Sequence, residues 1–158
     1  MDRFPFFVVL FSALGCVSVD GGAVEASWFI TTHDGRGIGS CACTCPRVSK
    51  IRFELVPTAG GEDPCFGRAS CQFSCDQRSG ATRFDIPPGQ YAISLVPVGP
   101  DGNDTTNDEA GTCRAGPGVA PEVREVVSGR VTGLDARTVL ADCAPECGGA
   151  DEGRVCSR

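Results

Sequence analysis

Three cysteines occupy five consecutive positions in "CACTC", Cys41, Cys43 and Cys45. Clustered thiolates can hold Zn(II) or Cu(I), and clustered thiols in an oxidising space become disulfides. In a strand, residues i and i+2 point to one face, so all three sulfurs would project together. At about 3.3 Å of rise per residue their α-carbons would stand about 6.6 Å apart, near the upper limit for a bridge and with β-carbons too far apart. Each is therefore expected to seek a distant partner. Cys65, Cys71 and Cys75 supply three, which staples "CACTC" to the 65–75 segment and leaves Cys113, Cys143, Cys147 and Cys156 to close among themselves. Metal binding is the alternative. Against it stand the lack of paired C-x₂-C knuckles and a lone histidine, His33, away from ligand spacing. Redox catalysis lacks its C-x-x-C motif. No metal and no cofactor are expected.

Other reactive groupings are sparse. His33 and Asp34 lie in "THDGRG", which reads as a turn, and no G-x-S-x-G elbow or papain-like cysteine context provides a nucleophile for them. Asp101, Asn103 and Asp104 begin like a calcium loop, but Thr106 stands where the loop needs glycine and Thr112 where it needs a bidentate glutamate. No catalytic residue is assigned, and the chain is not expected to be an enzyme.

Cysteine parity singles out Cys16. The chain has 11 cysteines, and this one lies apart from the rest, behind the apolar run "FPFFVVLFSALGCVSV" of Phe4–Val19. That run is shorter than the roughly 20 residues of a membrane-spanning helix and suits a signal-peptide core. Ala13, Leu14, Gly15 and Cys16 resemble the lipobox of bacterial lipoproteins, with Ala13 where leucine is commonest and Leu14 where a small residue is commoner. The resemblance implies a diacylglyceryl group on the Cys16 sulfur and cleavage just before it. Val17, in place of an aspartate retention signal, then implies the outer membrane. Small Ala13 and Gly15 also satisfy the ordinary A-x-A-like rule, so a soluble secreted product remains an alternative. Lipidation of Cys16 leaves ten cysteines, an even set.

Cysteine density of this order suits an exported protein better than a cytosolic one. The net charge is −6, and Lys50 is the only lysine among 14 basic residues. With no basic run to neutralise phosphates, a nucleic-acid partner is not expected.

The elements that must position these groups have a period of two. Val24, Ala26, Trp28 and Ile30 alternate with Glu25, Ser27, Phe29 and Thr31, and Ser49, Ile51, Phe53 and Leu55 alternate with Lys50, Arg52 and Glu54. Cys71, Phe73 and Cys75 suggest a short third strand. Thr82, Phe84 and Ile86 precede "PPG", and Tyr91, Ile93 and Leu95 follow it, which predicts a hairpin. Gly89 and Tyr91 make this stretch resemble the "pG-x-Y-x-l-x-v" hairpin of transthyretin-like and carboxypeptidase-regulatory-like surface domains. Residues 99–121 read as a long polar loop, Val123–Leu134 as a strand with a bulge at Gly129, and Thr138–Cys143 as the last strand. Trp28 and Tyr91 are assigned to the core.

The expected organisation is a signal peptide over 1–15, a lipidated tether over 16–23, a domain over 24–143 and a cysteine-containing tail over 144–158. The fold class is all-β: an antiparallel sandwich of about seven strands, Ig-like or prealbumin-like. The chain resembles small cysteine-rich bacterial lipoproteins. Its expected role is that of a lipid-anchored cell-envelope module, periplasmic or surface-facing, held to the membrane through Cys16 and meeting a protein or glycan partner. "THDGRGIGS" and "GPDGNDTTNDEAG" are its candidate contact loops. A soluble inhibitor- or toxin-like protein and a metal-handling lipoprotein are the rival readings.

Overall fold

A computed structural model describes residues 19–105 and 113–144. The described residues form two sheets over one core. Alternating side chains build β1 (Ala23–Thr31), whose Val24, Ala26, Trp28 and Ile30 are buried while Glu25, Ser27 and Phe29 are exposed. The same alternation builds β3 (Lys50–Pro57), with Ile51, Phe53 and Leu55 at 0% exposure. β3 pairs antiparallel with β6 (Gly89–Val98) along its whole length, from Lys50↔Val98 to Pro57↔Tyr91. β4 (Gln72–Ser74) and β8 (Glu122–Val126) flank this pair, which gives the order β4-β3-β6-β8.

The second sheet runs β2 (Thr44–Cys45), β10 (Arg137–Cys143), β1, β5 (Ser79–Ala81), with β7 (Ala115–Pro117) on β10 and β9 (Val131–Gly133) on β1. This sheet is mixed, not antiparallel as expected: β1 runs parallel to β10, with Trp28↔Arg137 to Thr31↔Leu140, and parallel to β9. Strands far apart in sequence need no hairpin and are free to pair in either sense. The strand count also exceeds the expectation, because short segments such as β2, β5, β7 and β9 are too brief to leave a periodic signal.

The two sheets meet on an aromatic cluster. The Trp28 and Phe53 rings stand edge to face at 6.4 Å, and Phe73 lies 4.9 Å from Phe53. The Trp28 indole N–H donates to the Cys75 carbonyl at 2.9 Å, satisfying the one polar atom that the buried ring carries.

Four further expectations are corrected. Residues 82–88 are not half of a hairpin with 89–98: β5 pairs with β1 in one sheet and β6 with β3 in the other, so the segment between them is a crossover. Pro87 and Pro88 have no N–H to give to a ladder, and Ile86 instead bridges to Gly22 and fills the core at 0% exposure. Phe84, expected to face inward, is 45% exposed. Gly129 is not a bulge. Its φ of +69° makes the turn that takes the chain from β8 in one sheet to β9 in the other. Gly21, Gly22 and Ala23, expected to belong to a tether over 16–23, are already buried. Gly22 exchanges backbone hydrogen bonds with Ile86, and the Gly129 N–H donates to the Gly21 carbonyl.

Candidate functional site

The cysteine cluster is not one continuous strand, and it is not a thiolate nest. Cys41–Cys43 form a 3₁₀ turn, capped by the Ser40 side chain on the Ala42 N–H, before β2 begins at Thr44. The turn aims successive sulfurs in different directions. Cys41 bonds to Cys75 across the core, with α-carbons 6.0 Å apart, and its N–H donates to the Asp76 carboxylate at 2.8 Å. Cys45 bonds to Cys113, and Cys65 closes a short loop with Cys71. Cys43 and Cys143 are also disulfide-bonded, and they sit at adjoining positions where the Ala144 N–H donates to the Cys43 carbonyl.

The expected grouping therefore holds only for Cys41 with Cys75. Cys65 and Cys71 stay within their own segment, and Cys113 joins Cys45 instead of the C-terminal set. The reason is topological: β7 begins two residues after Cys113, and both β7 and β2 lie on β10, so the sheet brings Cys113 to Cys45. Bonded sulfurs are not thiolates, so the eight disulfide-bonded cysteines offer neither nucleophile nor soft metal ligand in this state. Cys16, Cys147 and Cys156 lie outside the described residues.

The loop "THDGRGIGS" folds back on β1. The Thr32 N–H donates to the Arg36 carbonyl at 2.7 Å, Gly35 turns at φ +85°, and the Ile38 N–H donates to the Ile30 carbonyl at 2.8 Å. The loop thereby covers part of β1's edge beyond β5. Asp34 accepts from the Thr32 hydroxyl and from Arg36 Nε, and these two partners, the hydroxyl foremost, hold its carboxyl below the usual range. His33 lies 3.8 Å from Asp142 and is exposed. Arg78, in the left-handed region at φ +61°, donates through one terminal nitrogen to the Ile38 and Gly39 carbonyls at 3.0 and 2.8 Å.

Between this loop and the outer face of β1 runs an open groove of about 620 Å³, lined by Phe29, Thr31, Gly35, Gly37, Gly39 and Arg78 among others. Phe29 is 61% exposed. Glycine main chain and apolar side chains make up most of this lining, with Ser27, Thr31 and Arg78 as its polar side chains.

The second loop is self-satisfied where it is described. Asp101 accepts from the Asn103 N–H at 3.1 Å and from its side-chain amide at 2.8 Å, and these bonds lower the Asp101 carboxyl's pKa. Asp104 faces Arg52 at 3.8 Å. The carboxylates that begin like a calcium loop thus have internal partners, and residues 106–112 of the motif lie outside the described residues.

Sequence reasoning missed Arg78 and Phe29. Arg78 looks like one more surface arginine until its backbone takes a positive φ, and Phe29 is an outward position of an alternating strand that happens to carry an aromatic ring. No known family, curated protein or solved structure matches the chain.

Proposed function

We propose that this chain is a lipid-anchored module of the bacterial cell envelope, attached through Cys16 at the outer membrane and acting by surface contact with a protein or glycan partner. The observation that carries the reading is the short distance between Cys16 and fixed structure: burial begins at Gly21, five positions later. A diacylglyceryl group on that sulfur would hold the folded part at the bilayer surface, since two lipid chains give stable anchoring where one gives only marginal binding. The disulfides support an oxidising compartment. The groove beside Phe29 is the proposed contact surface.

Within this reading the two sheets are an Ig-like or prealbumin-like sandwich. A brace at the start of β6 supports the layout: the Tyr91 hydroxyl donates to the Pro87 carbonyl at 2.8 Å, four residues upstream, as in the tyrosine corner of Ig-type domains.

The test is Cys16→Ala in the full chain. The variant is expected to leave the membrane fraction or remain unprocessed, and wild-type membrane retention with normal processing would overturn the reading. Intact mass of the mature chain, before and after reduction and alkylation, reports the acyl groups and the disulfides together.

A further inference from the structure

Val19, Phe66, Phe84 and Val127 are exposed apolar side chains, at 42, 81, 45 and 39% respectively. They share one pole of the molecule. Val19 and Phe84 line the same open concavity with Asp20, Gly21, Pro87 and Pro88. Arg68, two residues after Phe66, lies 3.5 Å from Asp85, beside Phe84. The Ser128 hydroxyl, one residue after Val127, donates to the Asp20 carbonyl at 3.1 Å. The opposite pole carries the loops at 32–40 and 99–105, where His33, Asp34, Asp101 and Asn103 face solvent or each other.

We infer that this apolar pole rests on the bilayer to which Cys16 is anchored, with Phe66, Phe84, Val19 and Val127 entering the headgroup region. The inference rests on the lipidation reading of Cys16. The geometry of the chain commits the occupant. Gly21 is seated against Ile86 and Gly129 within this pole, and a chain spans at most about 3.6 Å per residue, so Cys16 lies within about 18 Å of Gly21 whatever the path between them. A lipid on that sulfur therefore keeps this end of the domain close to the membrane. Exposed Pro87 and Pro88 present no N–H groups to be desolvated, and Arg83 and Arg130 are exposed near the pole, where guanidinium groups meet lipid phosphates. Apolar side chains on such a surface insert about 5–10 Å, to the boundary of headgroups and acyl chains.

The experiment uses the full lipidated chain in vesicles of phosphatidylethanolamine and phosphatidylglycerol, with and without lipid brominated near the headgroup. A second tryptophan is introduced by Phe84→Trp, by Phe66→Trp as an independent probe of the pole, or by Phe29→Trp on the flank. Native Trp28 is 1% exposed and serves as a constant background. Emission from the introduced tryptophan of Phe84→Trp or Phe66→Trp is expected to fall roughly twofold with brominated lipid while that of Phe29→Trp holds, because only the pole reaches quencher depth. Equal emission with and without bromine, in protein that floats with the vesicles and carries its acyl mass, would overturn the docked pole and leave the anchor standing. Quenching of the flank probe equal to that of the pole probes would overturn it as well. Protein of unacylated mass that fails to float would remove the anchor and the inference with it.

Discussion

Asp63 shows how one carboxylate organises a loop and makes stability depend on pH. A single oxygen, Oδ1, accepts from the Leu55 N–H at 3.1 Å and from the Cys65 N–H at 2.7 Å, pinning the 57–65 loop to the end of β3. Burial nevertheless pushes the carboxyl's pKa up, and the two donors offset this only in part. A raised pKa means that the native state favours the protonated form. The stabilisation from this group is complete below the ordinary value of 3.8 and is lost as pH rises through the raised one. Asp63→Asn keeps an acceptor oxygen and removes the charge. Its thermal midpoint should match wild type at acid pH and equal or exceed it at pH 7. Asp63→Ala strands two N–H groups and should cost about 1–3 kcal/mol throughout. A pH series of melting curves on the three proteins checks both signs, and a neutral-pH loss for Asp63→Asn as large as for Asp63→Ala would refute the account. The hydrogen-bonding role of Asp63 was not legible in "AGGEDP", whose composition reads only as a turn-rich loop after Pro57, because the partner at Leu55 is fixed only when β3 ends where it does.

At the scale of elements, β1 and β3 were legible because one face of each is buried and the other is wetter. Trp28 against Phe29 and Phe53 against Glu54 fix which face is which. The segment around "PPG" misled because alternation also occurs where a chain passes once through the core: Ile86 plugs it while Phe84 on the same nominal face stays outside. β5 is three residues long and is recognisable only through what packs on it. The Phe73 ring lies directly over Gly80, so that a Cβ at this position would fall inside the ring's van der Waals envelope. Gly80→Ala should push Phe73 off Phe53 and Trp28 and cost about 1–3 kcal/mol, as overpacking does. Urea unfolding followed by Trp28 emission measures it, and an unchanged midpoint would show that the ring moves freely.

For the whole molecule, the all-β class and the use of cysteines as cross-links followed from composition and period, whereas the pairing did not, because it depends on which sheet each strand enters. Cys113 reaches Cys45 only because β7 and β2 both lie on β10. The bridges differ in the loops they close, with sequence separations of 34 for Cys41–Cys75, 68 for Cys45–Cys113 and 6 for Cys65–Cys71. Chain entropy assigns about 4 kcal/mol to each of the two long loops and about 2 kcal/mol to the short one. Double alanine variants of each pair, compared by denaturant midpoint, should therefore rank Cys65–Cys71 as the mildest loss. If its removal proved the most damaging, local packing of the buried sulfurs, and not loop closure, would set the order.

The parallel pairing of β1 with β10 also decides where the polypeptide enters and where it departs. Both strands head the same way, so Ala144, four residues past the Thr31↔Leu140 pair, is reached at the far end of β1 from Gly21. Whatever follows Ala144 therefore sets out from the end remote from Gly21 and, under the proposed attachment through Cys16, from the end turned away from the bilayer, like a lamp on a short post.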